Sequence, residues 1–117
     1  MKRQDCKLEK EHEERLADAL ASMPSEEVVV EMADIFRMLG EPSRLRIVLA
    51  LTKGESCVYH LVEACGGTQS GVSHQLRVLK DNKIVKSRRA GQSVFYSIAD
   101  EHIYKMLAIG MEHADCK

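Results

Sequence analysis

Residues 68–98, TQSGVSHQLRVLKDNKIVKSRRAGQSVFYSI, constrain the fold most, because a helical apolar period gives way within them to a two-residue period. Val72, Leu76 and Leu79 recur at helical spacing, whereas Ser70, Ser73, His74, Gln75 and Arg77 occupy other faces. One side of such a helix packs and another stays open. The helix is expected to end near Asn82. Ile84 and Val85 then open an extended run through Arg88 and Arg89, Ala90-Gly91-Gln92 makes a turn, and Val94, Tyr96 and Ile98 alternate with Phe95 and Ser97. A helix followed at once by a hairpin with a basic tip is what a winged DNA-binding module needs.

The charge pattern points the same way. From Arg77 to Arg89 the charged residues are Arg77, Lys80, Lys83, Lys86, Arg88 and Arg89 against Asp81 alone, so the segment is strongly positive and would meet phosphates favourably. An α-helix fits the major groove, and Ser, Gln and Arg side chains at its exposed start can meet phosphates or base edges. The candidate DNA contacts are Thr68, Gln69, Ser70, Ser73, His74, Gln75, Arg77 and Lys80 on the helix, with Lys86, Arg88, Arg89 and Gln92 on the hairpin. A net charge of −1 argues against strong nonspecific binding, but it averages unlike halves. Residues 1–34 hold five basic and ten acidic side chains, leaving the positive charge around the reading helix, and the local patch is what nucleic acid meets.

At 117 residues and 44% hydrophobic content the chain has apolar material for one modest core. The expected fold is mainly α with a small β-hairpin: a winged helix-turn-helix, homodimeric. Residues 7–21 carry a helical pattern with Leu16, Ala17 and Leu20 on its apolar side, broken by Met23-Pro24-Ser25. Ser25 before Glu26 and Glu27 looks like a capped start for a second helix, with Val29, Met32, Ala33, Phe36 and Leu39 apolar and Gly40 as its stop. Glu41-Pro42-Ser43 begins a third, with Leu45, Val48, Leu49 and Leu51 inside and Gly54 at its end. A fourth is expected from Glu55 to about Cys65, and Gly66-Gly67 turns from it into the reading helix. A last helix runs from Asp100 nearly to the end. The chain thus divides into an arm and first helix (1–24), a winged helix-turn-helix (25–99) and a C-terminal helix (100–117).

The N-terminus, MKRQDCKLEKEHEERL, has no apolar stretch of signal-peptide length, so a cytoplasmic protein without membrane insertion is expected. Its four cysteines, Cys6, Cys57, Cys65 and Cys116, form no disulfide-dense framework. Cys65 reads most simply as a small buried apolar residue, and Met32, Met38, Met106 and Met111 as core or interface fillers.

Asp100, His102, His113 and Cys116 form a second constellation, on the last helix. His102 and His113 are eleven residues apart and share a face, yet at ~1.5 Å rise per residue they stand roughly 16 Å apart, so one ion cannot touch both in one helix. Two such helices packed antiparallel across a dimer twofold would bring Asp100 and His102 of one chain to His113 and Cys116 of the other, giving two equivalent four-ligand sites. A tetrahedral set of nitrogen, oxygen and sulfur suits Zn(II), and four protein ligands leave no open position for hydrolysis. No nucleophile–base pair or phosphate loop accompanies it, so an enzyme is not expected.

The segment ESCVYHLVEACGGTQSGVSHQLRVLKDNKIVKSRRAGQSVFYSI, followed by DEH and MEHADC, resembles the ArsR/SmtB family of metal-sensing winged-helix repressors, over most of the chain from about Met32 to Cys116. The resemblance implies a homodimer, joined by its first and last helices, that binds double-stranded operator DNA when metal-free and releases it on binding metal. It implies that Asp100, His102 and His113 match the family's Zn(II)-sensing site, with His113 as the residue that relays toward the reading helix. The fourth position usually holds His or Glu, and a softer Cys116 thiolate there would admit Cd(II) or Co(II). A second family site implies Cys57 and His60, with Cys6 and His12 as the arm's contribution. In it Tyr59 replaces the second cysteine of the thiolate-rich members, and His60 stands where Asp is frequent. Two other classes stay open: a redox sensor switched at Cys57, Cys65 or Cys116, and a metal-buffering protein with no preference for DNA sequence.

Overall fold

Helix punctuation in the sequence carries over into the computed structural model, which describes residues 9–116. In chain order these residues form α1 (Glu9–Ser22), α2 (Glu26–Leu39), α3 (Pro42–Leu51), α4 (Val58–Cys65), α5 (Gln69–Asp81), β1 (Val85–Ala90), β2 (Ser93–Ile98) and α6 (Glu101–Asp115). The chain divides into two units between Ala33 and Asp34, so α2 begins in one and ends in the other. In the first unit, Ser25 starts α2 by accepting a hydrogen bond from the Val28 N–H at 3.2 Å. No residue of α1 is buried, and Leu16, Leu20 and Met23 are exposed.

The second unit holds the core. Glu41 caps α3, Pro42 supplies a fixed φ where the missing N–H costs nothing, and the apolar residues that follow turn inward. Ile47, Val48 and Leu51 of α3 meet Leu61 of α4, Val72, Leu76 and Leu79 of α5, Ile84 and Val85 at the hairpin's start, and Ile103 and Leu107 of α6. Val48, Leu76, Leu79 and Ile84 are wholly buried, each removing a side chain worth roughly 1.5–3 kcal/mol from water. Among the described residues no helix is long and apolar enough to cross a membrane.

The hairpin is antiparallel, with Val85 opposite Ile98 and Ala90 opposite Ser93. Ala90 is therefore strand rather than turn. The connection is only Gly91-Gln92, and Gly91 takes a φ of +64° that a tight two-residue turn requires. The fourth helix also starts later than expected, at Val58 rather than Glu55. Ser56 is not free to enter it: its N–H donates to Tyr96 O at 2.9 Å and its carbonyl accepts from Tyr96 N at 2.8 Å, adding one rung to the outer side of β2.

Candidate nucleic-acid interface and metal-ligating residues

Two glycines at positive φ, Gly66 at +84° and Gly67 at +87°, reverse the chain between α4 and α5. Thr68 then caps α5, its Oγ1 accepting from the Gly71 N–H at 3.0 Å. At about 100° per residue, Gln69, Ser70, Ser73, His74, Arg77 and Lys80 fall within an arc of about 140°, while Val72, Leu76 and Leu79 face the core. All six arc residues are exposed except the half-buried Ser73. Gln75, expected among the DNA contacts, stands apart from this arc. It lies on the far side of the helix and its amide is bonded to Arg44 and Ser43 of α3.

The end of α5 sets the start of the wing. The Ile84 N–H donates to Leu79 O at 2.9 Å and the Lys83 N–H to Lys80 O at 3.0 Å, with Lys83 at φ +62° between them. This is a Schellman closure with lysine where glycine is usual, sealed by the contact side chains Leu79 and Ile84, both buried. On the wing, Lys86, Arg89 and Gln92 are exposed. Arg88 is engaged within the protein: its guanidinium pairs with Glu55, Nε to Oε2 at 2.9 Å, and lies 5.2 Å from the centre of the Phe95 ring. That hydrogen bond holds the Glu55 carboxyl below its ordinary range and raises the Arg88 guanidinium above its own. Arg77, Lys80, Lys83, Lys86, Arg88 and Arg89 are all exposed, so the basic segment read from sequence is a basic surface.

On α6, Asp100 is the N-cap, its Oδ1 accepting from the N–H groups of His102 at 2.9 Å and Ile103 at 3.1 Å. His102 Nδ1 lies 3.5 Å from the same oxygen, with the imidazole 89% exposed. His113 is in the last turn and the exposed Cys116 is the C-cap. On α4, Cys57 is the N-cap with no side-chain capping bond, and its Sγ lies 3.6 Å from His60 Nδ1. These separations can be tested against zinc chemistry. Ligand distances of about 2.0–2.1 Å for nitrogen and oxygen and 2.3 Å for sulfur give tetrahedral edges of about 3.3 Å for N···O and about 3.6 Å for N···S. Both pairs fit. Among the described residues no three such ligands come together, and on α6 the eleven-residue spacing keeps His102 and His113 apart. His12 is half-buried on α1, and Cys6 lies outside the described residues. The Cys65 thiol is pushed up by burial, with Arg46 opposing the effect.

Sequence reasoning missed the residues that tie the module together: Glu41, Ser43 and Arg44 beneath α5, Glu55 beside the wing, and the left-handed Lys83. For Gln75 the signal was available, because its angular position on α5 sets it apart from the exposed arc.

Comparison with known proteins places the chain in context. Residues 41–87 match the family described as bacterial regulatory protein, arsR family. The chain is 38% identical over 107 residues to a transcriptional repressor SmtB homolog of Synechocystis sp., covering 89% of this chain and 81% of that protein. Its fold is similar to the homodimeric winged helix-turn-helix DNA-binding domain Mb0332 of Mycobacterium bovis, with a TM-score of 0.73, 28% identity, and coverage of 80% of this chain and 90% of that one. It is also similar to the AntR antimony-specific transcriptional repressor, with a TM-score of 0.71, 30% identity, and coverage of 85% and 95%.

Proposed function

Since the chain belongs to the arsR family of bacterial regulatory proteins, we propose that it is a homodimeric, metal-responsive transcriptional repressor that holds operator DNA without metal and releases it when Zn(II) binds between its C-terminal helices. In this reading residues 25–99 grip DNA and residues 100–117 sense metal, while residues 1–24 help to join the dimer. The observation that carries it is the Asp100–His102 pair, set 3.5 Å apart at the start of α6, a helix that holds His113 and Cys116 three turns away. Each end supplies half of a tetrahedral set, so the site is complete only when a second chain contributes the other half. Cys57 and His60, at 3.6 Å, are by the same criterion two ligands of a second site. The Cys116 thiolate would let Cd(II) or Co(II) compete.

The exposed arc of α5 enters the major groove in each half-site, and Lys86, Arg89 and Gln92 of the wing meet flanking phosphates. Zn(II) lowers operator affinity only to the extent that it binds the DNA-free dimer more tightly, and DNA weakens metal binding by the same factor. Partial burial pushes the Cys65 thiol up, which disfavours a redox switch there and supports the metal reading.

The test is a titration of Zn(II) into a fluorescent duplex taken from upstream of the protein's own gene and bound by the apo dimer. Affinity should fall, and His102→Ala and His113→Ala should bind the duplex normally yet ignore the metal. Operator affinity that Zn(II) leaves unchanged, or a full response in both variants, would refute the reading.

A further inference from the structure

Gln75 has both ends of its amide occupied inside the protein. Arg44 Nε donates to Gln75 Oε1 at 2.9 Å, and Gln75 Nε2 donates to Ser43 Oγ at 3.2 Å. A guanidinium only donates, so the amide has one sensible orientation. Ser43 Oγ in turn bonds to the Glu41 carboxylate, which also accepts the N–H groups of Ser43 at 3.3 Å and Arg44 at 3.1 Å. Every donor in this chain points the same way, from Arg44 through Gln75 and Ser43 to Glu41. The α5 side chain is thus docked on a helix start whose own geometry is fixed by its cap.

Position around the helix agrees. At about 100° per residue, Gln75 lies roughly 170° from the centre of the exposed arc that runs from Gln69 to Lys80. When that arc faces a groove, Gln75 faces away. The other side chains that hold α5 to the core are apolar, Val72, Leu76 and Leu79, and apolar contact is less directional than a hydrogen bond. The two amide bonds add a directional restraint on the roll of α5.

We propose that Gln75 is a positioning residue rather than a base reader: its amide clamps α5 to Ser43 and Arg44 and so sets the roll at which the arc meets operator DNA. The proposal rests on the repressor reading above. Operator affinity is measured for the full-length protein, for Gln75→Met, which keeps the stem but makes no amide bond, for Ser43→Ala, and for the double variant. Each binds the operator and a set of its single-base-pair variants, at a temperature where circular dichroism reports complete folding. Gln75→Met should weaken binding about five- to tenfold on every duplex, leaving the ranking of duplexes unchanged. The double variant should bind no more weakly than the weaker single one, since both changes break one clamp.

A loss confined to one base pair, no loss at all, or losses that multiply in the double variant would overturn the proposal while the repressor reading stands. A wild-type protein with no operator preference would overturn both.

Discussion

Lys83→Gly should stabilise the protein. Lys83 sits at φ +62°, closing α5 through the Ile84-to-Leu79 and Lys83-to-Lys80 hydrogen bonds, and its Cβ makes that left-handed conformation costly by about 1–2 kcal/mol. Glycine removes the strain but gains freedom in the unfolded chain, which returns roughly 0.4–1 kcal/mol. The net gain is about 0.5–1 kcal/mol, or a Tm rise of about 2–4 °C for a chain of 117 residues. Thermal and urea unfolding at fixed protomer concentration measure it, because dimerisation makes Tm depend on concentration. Lys83→Ala is the control: it loses the same charge and keeps the Cβ, so it should show no gain. A destabilised Lys83→Gly, or a Lys83→Ala that is equally stabilised, would refute the strain argument.

Leu76→Ala, at a wholly buried position beneath the reading arc, should cost about 2–5 kcal/mol in urea unfolding, and a loss under about 1 kcal/mol would remove it from the core. Glu55→Gln releases Arg88 from its carboxylate, so DNA affinity should rise and its salt dependence steepen by up to about 0.9 per protomer, as read by fluorescence anisotropy. The Glu41 carboxyl is held below its ordinary value of 4.5, first by the Ser43 hydroxyl and then by backbone N–H groups. A depressed folded-state value contributes stability that is complete above about pH 4.5 and lost as pH falls through that lower value, so acid unfolding of Glu41→Gln should depend less steeply on pH in that window.

The fold was legible wherever its signal was local. Val72, Leu76 and Leu79 gave the buried side of α5 by their spacing, Pro42 marked the start of α3, and the two-residue alternation through Tyr96 marked the second strand. What was not legible lay where a distant partner decides a local question. Glu55 and Ser56 look helical in sequence, but Tyr96, forty residues on, takes the backbone groups of Ser56. Gln75 and Arg88 look like free polar side chains, but Ser43, Arg44 and Glu55 are their partners, each more than thirty positions away. The α6 ligands were legible as two separated halves because helical rise alone keeps His102 from His113.

The single rung between Ser56 and Tyr96 covers part of the outer side of β2, so β1 is the strand with an open edge. An open edge invites another chain to extend the sheet, and charged side chains are what discourage it. Lys86, Arg88 and Arg89 all stand on that strand. Arg88 reaches across β2 to Glu55, which leaves Lys86 and Arg89, proposed above to meet phosphate, to guard this edge against self-assembly as well. Replacing Lys86 and Arg89 with neutral residues would remove the guard together with the proposed phosphate contacts, and the first sign would be turbidity rather than a free operator.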